Sequence, residues 1–340
     1  MSPRILVARL DSDGDVLLAG PAIRAAAAAG QVTLLCGPAG RQAAQLLPGV
    51  AGVHEWPCPW ILPDPPAVDP RDLAGLVAEF AELRVDTALL LTSFHQSALP
   101  LALLLRLAGV PRIIAISEDY PGSLLDVRLR PNVDFDDDLP EAERALVVAG
   151  AAGFALPPGD DGALAVRPPP DTSTLTGLGP YVVVHPGASV PARAWSPARH
   201  AATVVALAEA GHRVVVTGSA SERSLTTAVA GSHGLDLGGR TTFAELAGVL
   251  ARADTVVVGN TGPAHLAAAV GTPVVSLFAP VVPAKRWAPY KVPHVLFGDQ
   301  GAACRGSRAR TCPVPGHPCL DSVSPVEVVG AVAELIGVRT

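Results

Sequence analysis

Thr255-Val256-Val257-Val258-Gly259-Asn260-Thr261-Gly262-Pro263-Ala264-His265-Leu266-Ala267-Ala268-Ala269-Val270-Gly271-Thr272-Pro273-Val274-Val275-Ser276-Leu277 packs a whole strand, loop, helix and second strand into one segment. The runs at 255–258 and 274–277 are apolar, β-branched and of strand length. Pro263 suits the first turn of a helix, and Gly271 with Pro273 ends it after Val270. Two such strands joined through a helix form a parallel pair.

The same alternation extends outward in both directions. Ahead of this segment lie strands at Tyr181 to His185 and Arg213 to Thr217, with helices at Pro197 to Ala210, Ser221 to Ala230 and Phe243 to Ala253. The first half repeats it, with strands at Ile5 to Ala8, Val32 to Leu35, Gly52 to Trp56, Thr87 to Leu91 and Ile113 to Ile116. Helices are expected there at Val16 to Ala29, Ala39 to Leu47, Pro70 to Leu83, Ser97 to Ala108 and Pro140 to Ala152. A final helix runs from Pro325 to Ile336. Between the halves, Pro157-Pro158-Gly159-Asp160-Asp161-Gly162 and Arg167-Pro168-Pro169-Pro170 break helices and bury little. The expectation is an α/β protein of two Rossmann-like domains, residues 1–170 and 171–340. Open parallel sheets bind ligands beyond the carboxyl ends of their strands, so the loops there are the candidate sites.

Composition narrows the function classes. With 340 residues, 49% hydrophobic and 16% charged, the chain is too apolar for general disorder. A net charge of −6 lacks the cationic excess with which a protein neutralises nucleic-acid phosphates. No apolar stretch reaches the ~18 residues a membrane span requires; Leu99 to Val110 contains Arg106 and reads as a buried helix. Charge leaves at most peripheral membrane contact. Met1 to Arg4 runs straight into Ile5 to Ala8 without the core of an export signal, so a cytoplasmic protein is expected. Five cysteines, an odd number in a chain this long, do not suggest a disulfide framework.

The loop after the first strand is Arg9-Leu10-Asp11-Ser12-Asp13-Gly14-Asp15. Its three carboxylates would repel a pyrophosphate, which argues against a dinucleotide there. Asp15 reads either as the N-cap of the following helix or as a general base at a strand's carboxyl end. Asp11-Ser12-Asp13 matches a loose metal pattern better explained as a polar loop. The acidic run Asp134, Asp136, Asp137, Asp138 reads as a solvated loop or helix start.

The second half offers three anion-friendly loops. His185-Pro186-Gly187-Ala188-Ser189 is followed by Arg193-Ala194-Trp195, small residues beside a fixed cation. Thr217-Gly218-Ser219-Ala220-Ser221-Glu222 supplies either a carboxylate for ribose hydroxyls or a helix cap begun by Ser221. In Asn260-Thr261-Gly262-Pro263-Ala264-His265, a helix N-terminus with the Thr261 hydroxyl and His265 makes a plausible diphosphate cradle.

On these motifs the chain resembles glycosyltransferase family 9, the heptosyltransferases of lipopolysaccharide core assembly. The resemblance implies a GT-B arrangement, two Rossmann-like domains with parallel sheets facing a central cleft and the last helix packing back on the N-terminal domain. It also implies a donor in the C-terminal domain, an acceptor in the N-terminal one, inversion at the anomeric carbon, and neither metal nor cofactor. Asp15 would be the catalytic base. Ser189, Arg193, Gly218, Glu222, Asn260, Thr261, Gly262 and His265 would bind the donor, a nucleotide-diphosphate sugar with ADP-heptose favoured. The acceptor would be a glycan, glycolipid or small molecule. Several relatives carry Asp where this chain has Asn260. Cys304, Cys312 and Cys319, with His317, resemble a cysteine-rich segment of some members, but zinc prefers Cys-x-x-Cys pairs, absent here, so no metal is assigned. A sugar-nucleotide epimerase on the same scaffold and a non-catalytic nucleotide-sugar-binding protein are the alternatives; product analysis separates them.

Overall fold

The computed structural model describes residues 2–93 and 95–339. Contacts divide the chain into two units, residues 1–167 and 168–340. The proline-rich connection is held by the first unit up to that point. Asp160 receives the Arg24 guanidinium at 2.6 and 2.8 Å, and the Arg167 N–H donates to Leu46 O at 2.7 Å.

The first unit is a six-stranded sheet of β1 (Arg4–Arg9), β2 (Gln31–Cys36), β3 (Val50–Glu55), β4 (Thr87–Leu90), β5 (Arg112–Ile116) and β6 (Val127–Leu129). Its order is β3-β2-β1-β4-β5-β6 and every pairing is parallel. The second unit repeats the plan with β7 (Val182–His185), β8 (Val214–Val216), β9 (Gly234–Asp236), β10 (Thr255–Gly259), β11 (Val274–Leu277) and β12 (His294–Phe297), ordered β12-β11-β10-β7-β8-β9. Each is the doubly wound 3-2-1-4-5-6 arrangement, whose strand order reverses between the first and fourth strands. That reversal puts the ligand crevice at the ends of β1 and β4 in one unit and of β7 and β10 in the other.

Helices cover both faces, which is why β4, β7 and β10 are buried along their whole length and read as unbroken apolar runs. Three strands escaped the sequence reading: β6, β9 and β12 are sheet edges of three or four residues, and β9 is only Gly-Leu-Asp. The expected helix from Val16 to Ala29 is two helices, Asp13–Leu18 and Gly20–Ala29. Pro21 has no N–H to continue the first one. The last helix, Pro325–Arg339, lies on the helix Pro197–Glu209, and its Val328, Val332 and Leu335 enter the second unit's core.

Candidate active site

At the switch point of the first unit, β1 ends in Arg9, only 4% exposed, and the chain turns through Asp11 into the helix Asp13–Leu18. Ser12, not Asp15, occupies the N-cap position. Asp15 sits in the first turn, where its carboxylate faces the positive helix end. Its Oδ1 accepts from Arg9 Nη2 at 2.8 Å and its Oδ2 from Ser12 Oγ at 2.8 Å. The guanidinium also meets Asp11 through Nε at 3.0 Å, Glu141 through Nη1 at 3.4 Å, and Ser93 Oγ at 2.9 Å. Gln96 and Ser93, just past β4, donate in turn to Asp11.

Arg9 meets three acids at once, and Glu141 meets a second cation, Arg144, at 3.3 Å. Burial works against a charged Arg9, but Asp11, Asp15 and Glu141 outweigh it and hold its pKa above the ordinary arginine range. Burial pushes Asp11 upward, with Arg9 only partly offsetting it. Burial also raises Asp13 to about 6, against the pull of the Ala43 N–H donated to it at 2.8 Å. Sequence reasoning reached Asp15 but missed Arg9 and Glu141. The available signal was a charged residue at the carboxyl end of a central strand, after the apolar run Ile5 to Ala8. The acidic run is not wholly solvated either, since Asp137 pairs with the buried Arg144 at 2.6 Å.

In the second unit the loops leaving β7, β8 and β10 adjoin because β7 lies between β10 and β8. Glu222 folds back over the small residues: a Cβ added at Gly187 would come 2.1 Å from its Oε1, and one at Gly218 within 3.4 Å of Oε2. The cap here begins at Ser219 rather than Ser221. Glu222 Oε2 accepts from the Ser219 N–H and Oγ, both at 2.8 Å, in a capping box. His185 Nδ1 lies 3.0 Å from Thr217 Oγ1, and burial pulls its pKa down to about 4 against the nearby Glu222, so the ring is neutral at pH 7. Ser189 is exposed and Arg193 half-buried in a short turn, Pro191–Arg193.

On the other side, the Arg193 carbonyl abuts Gly259, 3.3 Å from where a Cβ would stand. Thr261 is the N-cap residue of the helix Gly262–Ala269, which buries His265. Asn260 is buried too, and its amide bridges to the next strand's exit: Nδ2 donates to Ala279 O and Oδ1 accepts from Ala279 N–H, each at 3.4 Å. This explains an uncharged residue here, because a carboxylate would face the Ala279 carbonyl with no proton to offer. The cysteine-rich segment joins the core of this unit. Cys304 and Cys319 are buried there, and burial lifts Cys319 to about 11. Cys312 Sγ donates to Val314 O at 3.3 Å. Among the described residues no group of three or more His, Cys, Asp or Glu is arranged to hold a metal.

The family model described as glycosyltransferase family 9 (heptosyltransferase) matches residues 84–317. The chain belongs to that family. The match takes in Glu141 and Arg144 and all the candidate donor residues, while Arg9 and Asp15 precede it. Lipopolysaccharide heptosyltransferase 3 of Escherichia coli is 34% identical over 104 residues, 29% of this chain and 31% of that protein. The chain thus matches about a third of the length of this relative. The structure of E. coli ADP-heptose lipopolysaccharide heptosyltransferase II superposes with a TM-score of 0.75 at 19% identity, covering 99% of each chain. The E. coli heptosyltransferase WaaC with ADP-2-deoxy-2-fluoro heptose gives 0.63 at 20% identity, covering 99% of this chain and 100% of that one. The fold is therefore GT-B, as its family 9 membership implies. No helix among the described residues is long and apolar enough to cross a membrane.

Proposed function

We propose that the chain is an inverting glycosyltransferase that moves a sugar, heptose in the leading case, from an ADP-linked donor to an acceptor hydroxyl. One observation carries this reading: Asp15 stands at the β1/β4 switch point with both oxygens held by Arg9 and Ser12, a fixed carboxylate of the kind a single-displacement base requires. Breaking a glycosyl–diphosphate bond builds negative charge on the leaving group. Arg193 and the N-terminus of the helix Gly262–Ala269, with Thr261 and His265, are suited to stabilise that charge without a divalent cation. Glu222, beside Gly187 and Gly218, is suited to the nucleoside end. The presence of an ADP-sugar analogue in WaaC supports the choice of ADP. The acceptor is a glycan, glycolipid or small molecule met in the cytoplasm, with at most peripheral membrane contact.

The test is product analysis by mass spectrometry with ADP-heptose and a panel of acceptors. The expected result is ADP release coupled to a glycosylated product. A sugar altered while still attached to its nucleotide, or ADP-heptose bound and never cleaved, would overturn the reading.

A further inference from the structure

Glu141 is buried more deeply than its neighbours' charges require. It opens the helix Glu141–Ala151 and is only 3% exposed, beside Arg144 at 3% and Arg9 at 4%. Taking an acid out of water is costly unless partners repay it. Yet both cations already hold a nearer acid: Arg9 meets Asp15 at 2.8 Å and Asp11 at 3.0 Å, and Arg144 meets Asp137 at 2.6 Å. Glu141 stands between them at longer range, one oxygen 3.4 Å from Arg9 Nη1 and the other 3.3 Å from Arg144 Nε. The space beside Arg9, Glu141 and Arg144 measures about 10 Å³, room for a single water at most. These charges therefore act on one another through protein rather than solvent.

The three nitrogens of the Arg9 guanidinium face three different carboxylates, Nε that of Asp11, Nη2 that of Asp15 and Nη1 that of Glu141. Ser93 Oγ also accepts from Nη2, at 2.9 Å. The fork cannot turn or shift toward Asp15 without leaving another acid. Its positive charge is delocalised over the nitrogens, so what Glu141 draws at one end is withheld from Asp15 at the other. A carboxylate beside an undivided cation is a weak base, because the cation favours its charged form; a further acid on the same cation works the opposite way. The three acids together hold Arg9 above the ordinary arginine range in spite of its burial.

The remaining charges around Asp15 are fixed from other directions. Asp11 and Asp13 flank it on its own turn and helix, with Asp13 taking the Ala43 N–H. On the neighbouring helices Arg24 pairs with Asp160 and Arg41 with Glu55. Past β4, Ser93 and Gln96 are neutral and His95 is exposed, while Glu143 is half-buried on the helix that carries Glu141. We infer that Glu141 is a positioning residue for Asp15: anchored by Arg144, it draws on Arg9 Nη1, holds the fork in place, and keeps the proposed base more basic than an undivided Arg9 would leave it, an inference that rests on the transferase reading above.

Carbon-13 NMR titration of the full chain, labelled at its aspartate carboxyls, tests this, with the Asp15 signal identified by its loss in Asp15→Asn. Glu141→Gln keeps the shape and removes the charge, and the Asp15 midpoint is expected to fall by about half a pH unit or more, roughly a threefold loss of proton affinity. Glu141→Asp restores the charge one methylene shorter and is expected to recover about half of that fall or more, which a role in packing alone would not produce. If thermal melting shows Glu141→Gln to be unfolded, Glu141→Gln combined with Arg144→Met decides. It removes both charges of the buried pair, of which the acid is the one in contact with Arg9, so the midpoint is again expected to fall. A midpoint unmoved or raised in a folded variant, or no recovery with Glu141→Asp, would overturn the inference. Turnover of ADP-heptose with the acceptor panel is followed in parallel for the native chain and Asp15→Asn. A midpoint that falls while Asp15→Asn turns over at the native rate would defeat the transferase reading's base and leave the coupling standing, whereas an unmoved midpoint with Asp15→Asn inactive would defeat the coupling alone.

Discussion

Replacing Arg9 with Met removes the one cation shared by Asp11, Asp15 and Glu141 while keeping a side chain of comparable bulk. The loss is therefore electrostatic rather than a cavity. Orphaning a buried charge costs about 3–5 kcal/mol, and none of these carboxylates is more than 20% exposed. For a unit of this size each kcal/mol moves the melting temperature by about 2–4 °C, so the first unit should lose ~6–20 °C at pH 8. The sign of the pH dependence follows from the charges. Without Arg9, Asp11 loses the charge that partly offsets its burial and titrates still higher in the folded state than in the unfolded one, while Glu141 keeps Arg144. Such groups bind more protons when folded, so their penalty is absent below the unfolded pKa near 4 and grows as pH rises through the folded values. Calorimetry at pH 5 and pH 8 should show the variant's deficit shrinking by about half or more at pH 5. Arg9→Lys keeps the charge but not the fork, and should fall between. A deficit equal at both pH values, or below about 1 kcal/mol at pH 8, would refute the reasoning.

Asp13→Asn keeps the carbonyl that accepts the Ala43 N–H and removes a group raised to about 6 by burial. The variant should gain on the order of 1–3 kcal/mol at pH 7.5 and nothing at pH 4, read from chemical denaturation at both. Asn260→Asp puts a carboxylate against the Ala279 carbonyl and should cost about 1–3 kcal/mol in the second unit's melting. Gly187→Ala displaces Glu222 from its cap and should cost about 1 kcal/mol. Adding Glu222→Gln to Gly187→Ala should then cost less than it does alone, a non-additivity that a double-mutant cycle measures.

The central strands of both sheets were legible because burial on both faces leaves an unbroken apolar run such as Val256-Val257-Val258. The edges were not, since β9 offers one apolar side chain in three residues. Asp15 was found from its place after a strand, but its turn position was not, because Ser12 two residues before Gly14 holds the cap. The Arg9 to Glu141 pair joins residues 132 apart, and nothing in local spacing announces it. Asn260 was noticed as an oddity in sequence, and only its two bonds to Ala279 explain the amide.

Asp15→Asn bears most directly on the whole account, because it removes the charge and keeps the shape. With ADP-heptose and a competent acceptor, transfer should fall by at least 10³-fold while calorimetric ADP affinity stays within twofold of the native protein, a loss within the range expected for a positioned general base. Native turnover by the variant would take Asp15 out of the reaction and the account with it.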